Sequence, residues 1–206
     1  MKLIPTIFAQ SKKEFDEKFK KILPIAKNIQ IDVMDGKFVK ARSIPIKQIP
    51  NLKKYKNNFE AHLMCLHPEK YFTILKKKGF KKIFFHYESA KSPEKIVDKI
   101  KSLQLKAGIA FNPNASVKKI LKLSAKADAI LLMGHAPGKE HLAFQNSILK
   151  KIKLFRQENN RVAIQIDGGI SPKIITKLAK LRVNAVNTGS YISASENPKK
   201  AMRAFR

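Results

Sequence analysis

The sequence has a single cysteine, Cys65, so no disulfide can form within the chain. Its setting in "AHLMCL" reads as a small buried hydrophobe rather than a reactive thiol. No segment approaches the roughly 18 unbroken apolar residues that a membrane span requires. The apolar run in MKLIPTIFAQ at the N-terminus is too short for a secretion signal, so a soluble, cytosolic protein is the expectation. No GxGxxG follows the first strand-like run, which removes the commonest nucleotide-binding version of an open sheet. Acidic residues are also scarce, with 15 Asp and Glu against 43 Lys and Arg and a net charge of +28.

Such a charge excess raises the question of a nucleic-acid partner. Only six of the cations are arginines, the residue that does most bidentate reading of bases and phosphates. The rest are lysines that recur through nearly every helical segment instead of collecting in one patch. We read the excess as a lysine-biased surface with weak, salt-sensitive polyanion binding as a side effect, not as a dedicated nucleic-acid function. With 206 residues and 44% hydrophobic content the chain can bury one sizeable core, and no linker is visible, so residues 1–206 read as a single domain. The sequence leaves a homo-oligomer open.

Short strand-like runs alternate with longer amphipathic ones from end to end. Strands are expected over residues 2–8, 28–33, 59–64, 81–86, 106–111, 127–133, 161–166 and 185–188. Helices are expected over 13–26, 68–79, 93–103, 116–125, 146–159 and 171–181, with Ser92 and Ser171 as hydroxyl N-caps before proline and a last helix opening at Asn197. Eight strand-helix units imply parallel strands with crossover helices, and hence an α/β fold of the closed (β/α)8, or TIM-barrel, kind.

In such a barrel, chemistry gathers at the C-terminal ends of the strands. Asp32 follows Ile29 and Ile31 in alternation there; strand three ends in His62 and Met64, strand four in His86, strand six in Met133, and strand seven leads into Asp167, Gly168 and Gly169. Asp32 and Asp167 read as chemistry, whereas Asp35, directly before Gly36, reads as a turn residue. His86 is as consistent with a satisfied core histidine as with a functional one.

At these residues the chain resembles the ribulose-phosphate 3-epimerase family. The blocks are "IPTIFAQ", "IDVMDGKFV", "EAHLMCLHPEKYF", "IFFHYES", "AGIAFNPNAS", "AILLM", "QIDGGIS" and "NTGSYI", in order along nearly the whole chain. The resemblance implies a phosphate-binding barrel that interconverts ribulose 5-phosphate and xylulose 5-phosphate. By the family pattern Asp32 and Asp167 are the acid/base pair that removes a proton from one face of carbon 3 and returns one to the other. It also implies a divalent metal (zinc, iron, manganese or cobalt) as Lewis acid for the enediolate oxygen, held by Asp32, His62, Asp167 and the residue two before Asp32. The substrate-binding positions carried over are Thr6, Met34, His62, Met64, Met133, Gly138, Gly168, Gly169, Gly189 and Ser190, the last four gripping phosphate through glycine-permitted backbone N–H groups.

Two departures matter. Gln30 stands where the family has a histidine ligand, and an amide oxygen is a much poorer ligand for zinc or iron, so Gln30 is expected to bind weakly and the site to shift toward harder ions. The loop after strand six reads "PGKEHLAF" where the family is glycine-rich, which puts Glu140 and His141 near the phosphate; a carboxylate there repels it, side chains hinder closure, and Lys139 offsets part of this. His135 reads as a loop histidine, with a substitute ligand as the other reading. A related epimerase acting on a hexulose 6-phosphate, and a diverged barrel that binds a sugar phosphate without turnover, are the competing functions.

Overall fold

Alternation of apolar residues fixes the strands here, and proline and glycine fix many of the ends between them. In the computed structural model, which describes residues 1–139, 141–159 and 161–205, eight parallel strands close into a barrel in chain order. They are β1 (Lys2–Ile7), β2 (Asn28–Met34), β3 (Asn58–Met64), β4 (Lys82–His86), β5 (Lys106–Phe111), β6 (Ala129–Met133), β7 (Ala163–Asp167) and β8 (Ala185–Thr188). Closure is made by β8 on β1, with Lys2 opposite Ala185 and Pro5 opposite Thr188. The barrel expected from the sequence is the barrel observed.

Around it lie α1 (Lys12–Ile22), α2 (Phe72–Lys78), α3 (Pro93–Ser102), α4 (Val117–Ser124), α5 (Ser147–Glu158), α6 (Pro172–Lys180), α7 (Ser190–Ser193) and α8 (Pro198–Arg203). The first helix stops well short of residue 26, because Pro24 has no N–H with which to extend the ladder. Gly79, at φ 101, ends α2 in a left-handed cap that other residues adopt only with strain. Between β2 and β3 there is no α-helix; two 3₁₀ turns, Ile46–Gln48 and Leu52–Lys54, bury Ile46, Ile49 and Leu52 in its place. Asn197 caps α8 by accepting from Lys200 N at 2.9 Å. Ser92 and Ser171 occupy the N-cap positions before proline as expected, but neither hydroxyl makes a capping bond.

The barrel wall separates two apolar clusters. Ile29, Ile31 and Val33 of β2, with Ile83 and Phe85 of β4, face the helices in the main core. Inside the barrel a smaller cluster gathers Phe84, Ala110, Ala129, Leu131 and Met133. Period-two alternation puts the neighbours of those outward residues inward, so Gln30, Asp32, Glu60, His62, Gln165, Asp167 and Asn187 share the interior. Among the described residues no helix is long and apolar enough to cross a membrane.

Candidate active site

Three strands deliver the chemistry to one mouth. Asp32 is paired with His62 in the β2–β3 register, and β7 ends on Asp167, which is paired with Met133 of β6 and Asn187 of β8. His62 Nδ1 lies 3.3 Å from Asp32 Oδ1 and 3.3 Å from Asp167 Oδ2. One ligand atom from each of the three side chains lies within 4.8 Å of the other two. The two carboxylates, far apart in the chain, therefore converge on a single small volume.

Gln30 lies beside them, fully buried. Its Nε2 donates to Asp167 Oδ2 at 2.7 Å and to Asp32 Oδ1 at 3.1 Å, and Thr6 Oγ1 is 3.3 Å away. The amide thus presents its nitrogen to the carboxylates, where the sequence led us to expect a weakly ligating oxygen.

On its far side His62 Nε2 meets His86 Nε2 at 2.9 Å, and His86 Nδ1 faces Glu88 Oε2 at 3.5 Å. The Glu88 carboxylate, 3.5 Å from Nδ1 and making no geometric hydrogen bond to it, favours the His86 proton on Nδ1 by its charge, which leaves His86 Nε2 to accept and His62 Nε2–H to donate. His62 Nδ1, buried and 3.3 Å from an oxygen of each carboxylate, is then the ring nitrogen that faces Asp32 and Asp167. His86, which sequence reasoning left open, thereby orients His62.

Burial and the charge of Asp167 push the Asp32 carboxyl up to about 6, although hydrogen bonding to His62 opposes the rise. Asp167 is equally dry, but hydrogen bonds from His62 and Gln30 and the neighbouring His62 charge hold it below its ordinary value. Burial alone would lower His62; hydrogen bonding to Asp167 and Asp32 outweighs it and lifts the ring to about 9. His86 is pushed down to about 4 by burial.

Because the folded-state value of His62 lies above the ordinary 6.5, the stability it contributes is complete below pH 6.5 and is lost as pH rises through about 9. In chelator, the melting temperature is expected to fall across that window, and to fall less in His62→Gln. Equal slopes for the two proteins in thermal unfolding would contradict this.

A cavity of about 720 Å³ opens above these groups. Thr6, Met34, Met64 and Met133 line it near the strand ends, and Gly138, Gly168, Gly169, Gly189 and Ser190 line it at the loops, so all ten substrate-binding positions expected from the sequence, His62 included, meet in one space. Gly168 at φ 104 and Gly169 at φ 68 need the left-handed conformation, and a Cβ on Gly169 would stand 2.4 Å from Phe144 N. His135 lines the cavity too, with Nδ1 2.8 Å from Ala136 O, but lies outside the Asp32, His62 and Asp167 cluster. Lys139 and His141 face the cavity; Glu140, expected to repel a phosphate, lies outside the described residues.

Asp35 is a turn residue, as expected. Its Oδ1 accepts from Lys37 N at 2.8 Å and Phe38 N at 3.0 Å, and its Oδ2 from Leu66 N at 2.8 Å. Cys65 is buried, its thiol pushed up to about 12 by burial and the Asp35 charge. Sequence reasoning missed Glu60, Gln165 and Asn187. The signal was available: each is a polar residue in an apolar strand, and Glu60 and Gln165 sit two positions before His62 and Asp167, hence on the same face.

A closed eight-stranded barrel whose ionisable groups converge at the C-terminal mouth is the architecture of a barrel enzyme. The chain belongs to the Ribulose-phosphate 3 epimerase family, whose profile matches residues 2–193. It is 27% identical over 210 residues to the ribulose-phosphate 3-epimerase of Schizosaccharomyces pombe, spanning 100% of this chain and 92% of that protein. To the enzyme of the same name from Eremothecium gossypii it is 31% identical over 183 residues, 83% of this chain and 77% of that one. Among solved structures, a 3-hexulose-6-phosphate synthase superimposes with a TM-score of 0.76 at 17% identity, over 100% of this chain and 98% of that one, a likeness of fold alone. The protein is therefore an isomerase-class enzyme of the epimerase kind.

The family implies a divalent metal, and Asp32, His62 and Asp167 fit one. Two carboxylates and an imidazole nitrogen are a normal donor set for such an ion, and His62 Nδ1 is a buried atom aimed at both carboxylates.

Proposed function

We propose that the enzyme inverts carbon 3 of D-ribulose 5-phosphate to give D-xylulose 5-phosphate, with Asp32 and Asp167 as the acid/base pair. The observation that carries this reading is their convergence within ligand distance of His62 at the floor of one cavity. Proton transfer to opposite faces of one carbon needs two groups in different protonation states, and their unequal environments supply that difference. Asp167, held ionised, removes the proton, and Asp32, the more easily protonated, returns one on the other face; the roles exchange in the reverse direction. When bound, a divalent ion would stabilise the developing enediolate oxygen as a Lewis acid. Met34, Met64 and Met133 wall the sugar with apolar surface and keep water from the reacting carbon.

The sugar's phosphate is assigned to the loops after β7 and β8. Gly168 and Gly169 follow Asp167 directly, and Gly189 and Ser190 open α7 on the same cavity. A Cβ on Gly189 would meet no atom within 4 Å, so the missing side chain leaves open room for the ligand. Gly189→Ala is expected to raise KM for ribulose 5-phosphate roughly tenfold. Steady-state kinetics with thermal unfolding on the same protein check this.

The decisive assay is formation of xylulose 5-phosphate from ribulose 5-phosphate, followed through a coupling enzyme, in chelator and with each added divalent ion. Turnover in at least one condition supports the reading. Absence in all of them, with a hexulose 6-phosphate accepted instead, replaces the substrate.

A further inference from the structure

The two ends of the Gln30 amide behave oppositely. Its Nε2 holds the two carboxylates, while Oε1 accepts from Asn187 Nδ2 at 2.7 Å. Oxygen and nitrogen of an amide have nearly the same shape, so partners alone decide which end faces which way.

Those partners lead to a fixed charge. Asn187 Nδ2 also donates to Glu60 Oε1 at 3.3 Å. Glu60 receives Gln165 Nε2 on that same oxygen and Lys82 Nζ on the other, at 3.0 Å. A carboxylate so paired only accepts. Turning Asn187 over would set its oxygen against Glu60, so its NH2 group must face Glu60, and that same group reaches Gln30 Oε1. The orientation leaves Asn187 Oδ1 buried with no partner, a smaller loss than facing acceptor to acceptor. Gln30 cannot reverse either, because its own NH2 would then meet the NH2 of Asn187.

We propose that Gln30 is a donor clamp on Asp32 and Asp167 and not an ion ligand, its amide polarity imposed from the barrel floor by Lys82, Glu60 and Asn187. Its one atom able to ligate is turned away and occupied, so among the described residues the cluster left to an ion is Asp32, His62 and Asp167. In exchange the amide protons hold the two carboxylates at a set spacing without adding charge. Gln30 is thus a positioning residue. Its part in turnover rests on the epimerase reading; the consequence for ion binding does not.

The test is zinc and manganese affinity by calorimetry on the full chain, with thermal unfolding to confirm folding. Gln30→Met keeps the length of the side chain and removes the amide; it is expected to bind zinc within about threefold of the parent or more tightly. A loss of about tenfold or more would show the amide oxygen coordinating and overturn the proposal. Glu60→Gln lets Asn187 and Gln30 reverse, and is expected to tighten zinc about tenfold as Oε1 becomes free to join. A folded Glu60→Gln protein with unchanged affinity overturns the relay, since a packing role predicts that result. Asn187→Leu cuts the same link from the other side, with the same expected tightening, and decides the question if Glu60→Gln does not fold. Turnover of ribulose 5-phosphate on the same samples keeps the two readings apart: a parent protein inactive with every ion removes the epimerase reading, while the ion affinities still decide the clamp.

Discussion

Asp167→Asn is expected to lower kcat for ribulose 5-phosphate by about 10³ to 10⁴, the range that a positioned general base supplies. The substitution is nearly isosteric, and the residue sits at the end of β7 with its backbone oxygen accepting from Gly134 N at 2.6 Å, so the strand end stays in place. What is lost is a charged oxygen held low by His62 and Gln30. An amide there cannot take a proton at neutral pH. Asp32→Asn is expected to do comparable harm, and the double variant little more, because two groups that act as one unit do not contribute additively. Asp35→Asn is the control. That carboxylate is spent on three backbone N–H groups, so its loss weakens the β2 turn and leaves turnover within about tenfold of the parent. Steady-state kinetics of the four proteins decide the matter, and retention of full kcat in Asp167→Asn would remove the proton-transfer assignment.

Phe84→Ala is expected to carry the largest cost in stability, about 3–5 kcal/mol by denaturant unfolding. The ring is fully buried inside the barrel, not between barrel and helices. Several of its neighbours are small. Gly108 faces it across the β4–β5 register, and Ala110, Ala129, Leu131 and Met133 share the interior cluster with it. A Cβ on Gly108 would stand 2.1 Å from Phe84 Cδ1, so the glycine exists to admit the ring. With the ring gone, Gly108, Ala110 and Ala129 are too short to reach into the space, and Leu131 and Met133 fill it only in part. Because Phe84 is paired with His62 and lies two residues before His86 on the same face, the variant should also loosen the imidazole pair and lose activity beyond its loss of folded protein. A cost below about 1 kcal/mol would mean that the interior relaxes around the gap.

Much of this architecture was legible one residue at a time. Asp32 could be assigned to the interior from Ile29 and Ile31, because alternation in a strand fixes faces without knowledge of the partner strand. Pro24 marked a limit to α1 that the apolar pattern, running on through Ile25 and Ala26, concealed. Where expectation and structure part, long-range partners are the reason. Ser92 and Ser171 have the right type and position for caps, yet the hydroxyls leave those bonds unmade. Gln30 was read as a ligand by position; its orientation depends on Asn187 and Asp167, 157 and 137 residues away in the chain.

The sequence by itself determined the barrel, the inward faces of its strands and the identity of the groups at its mouth, since these follow from periodicity and spacing within each unit. Tertiary structure alone decided which oxygen meets which nitrogen, how far apart the two carboxylates titrate and which ends of Gln30 and His62 face the cavity. Hydrogen-bond polarity and desolvation arise from groups brought together by closure of the barrel, and no local stretch of chain contains them.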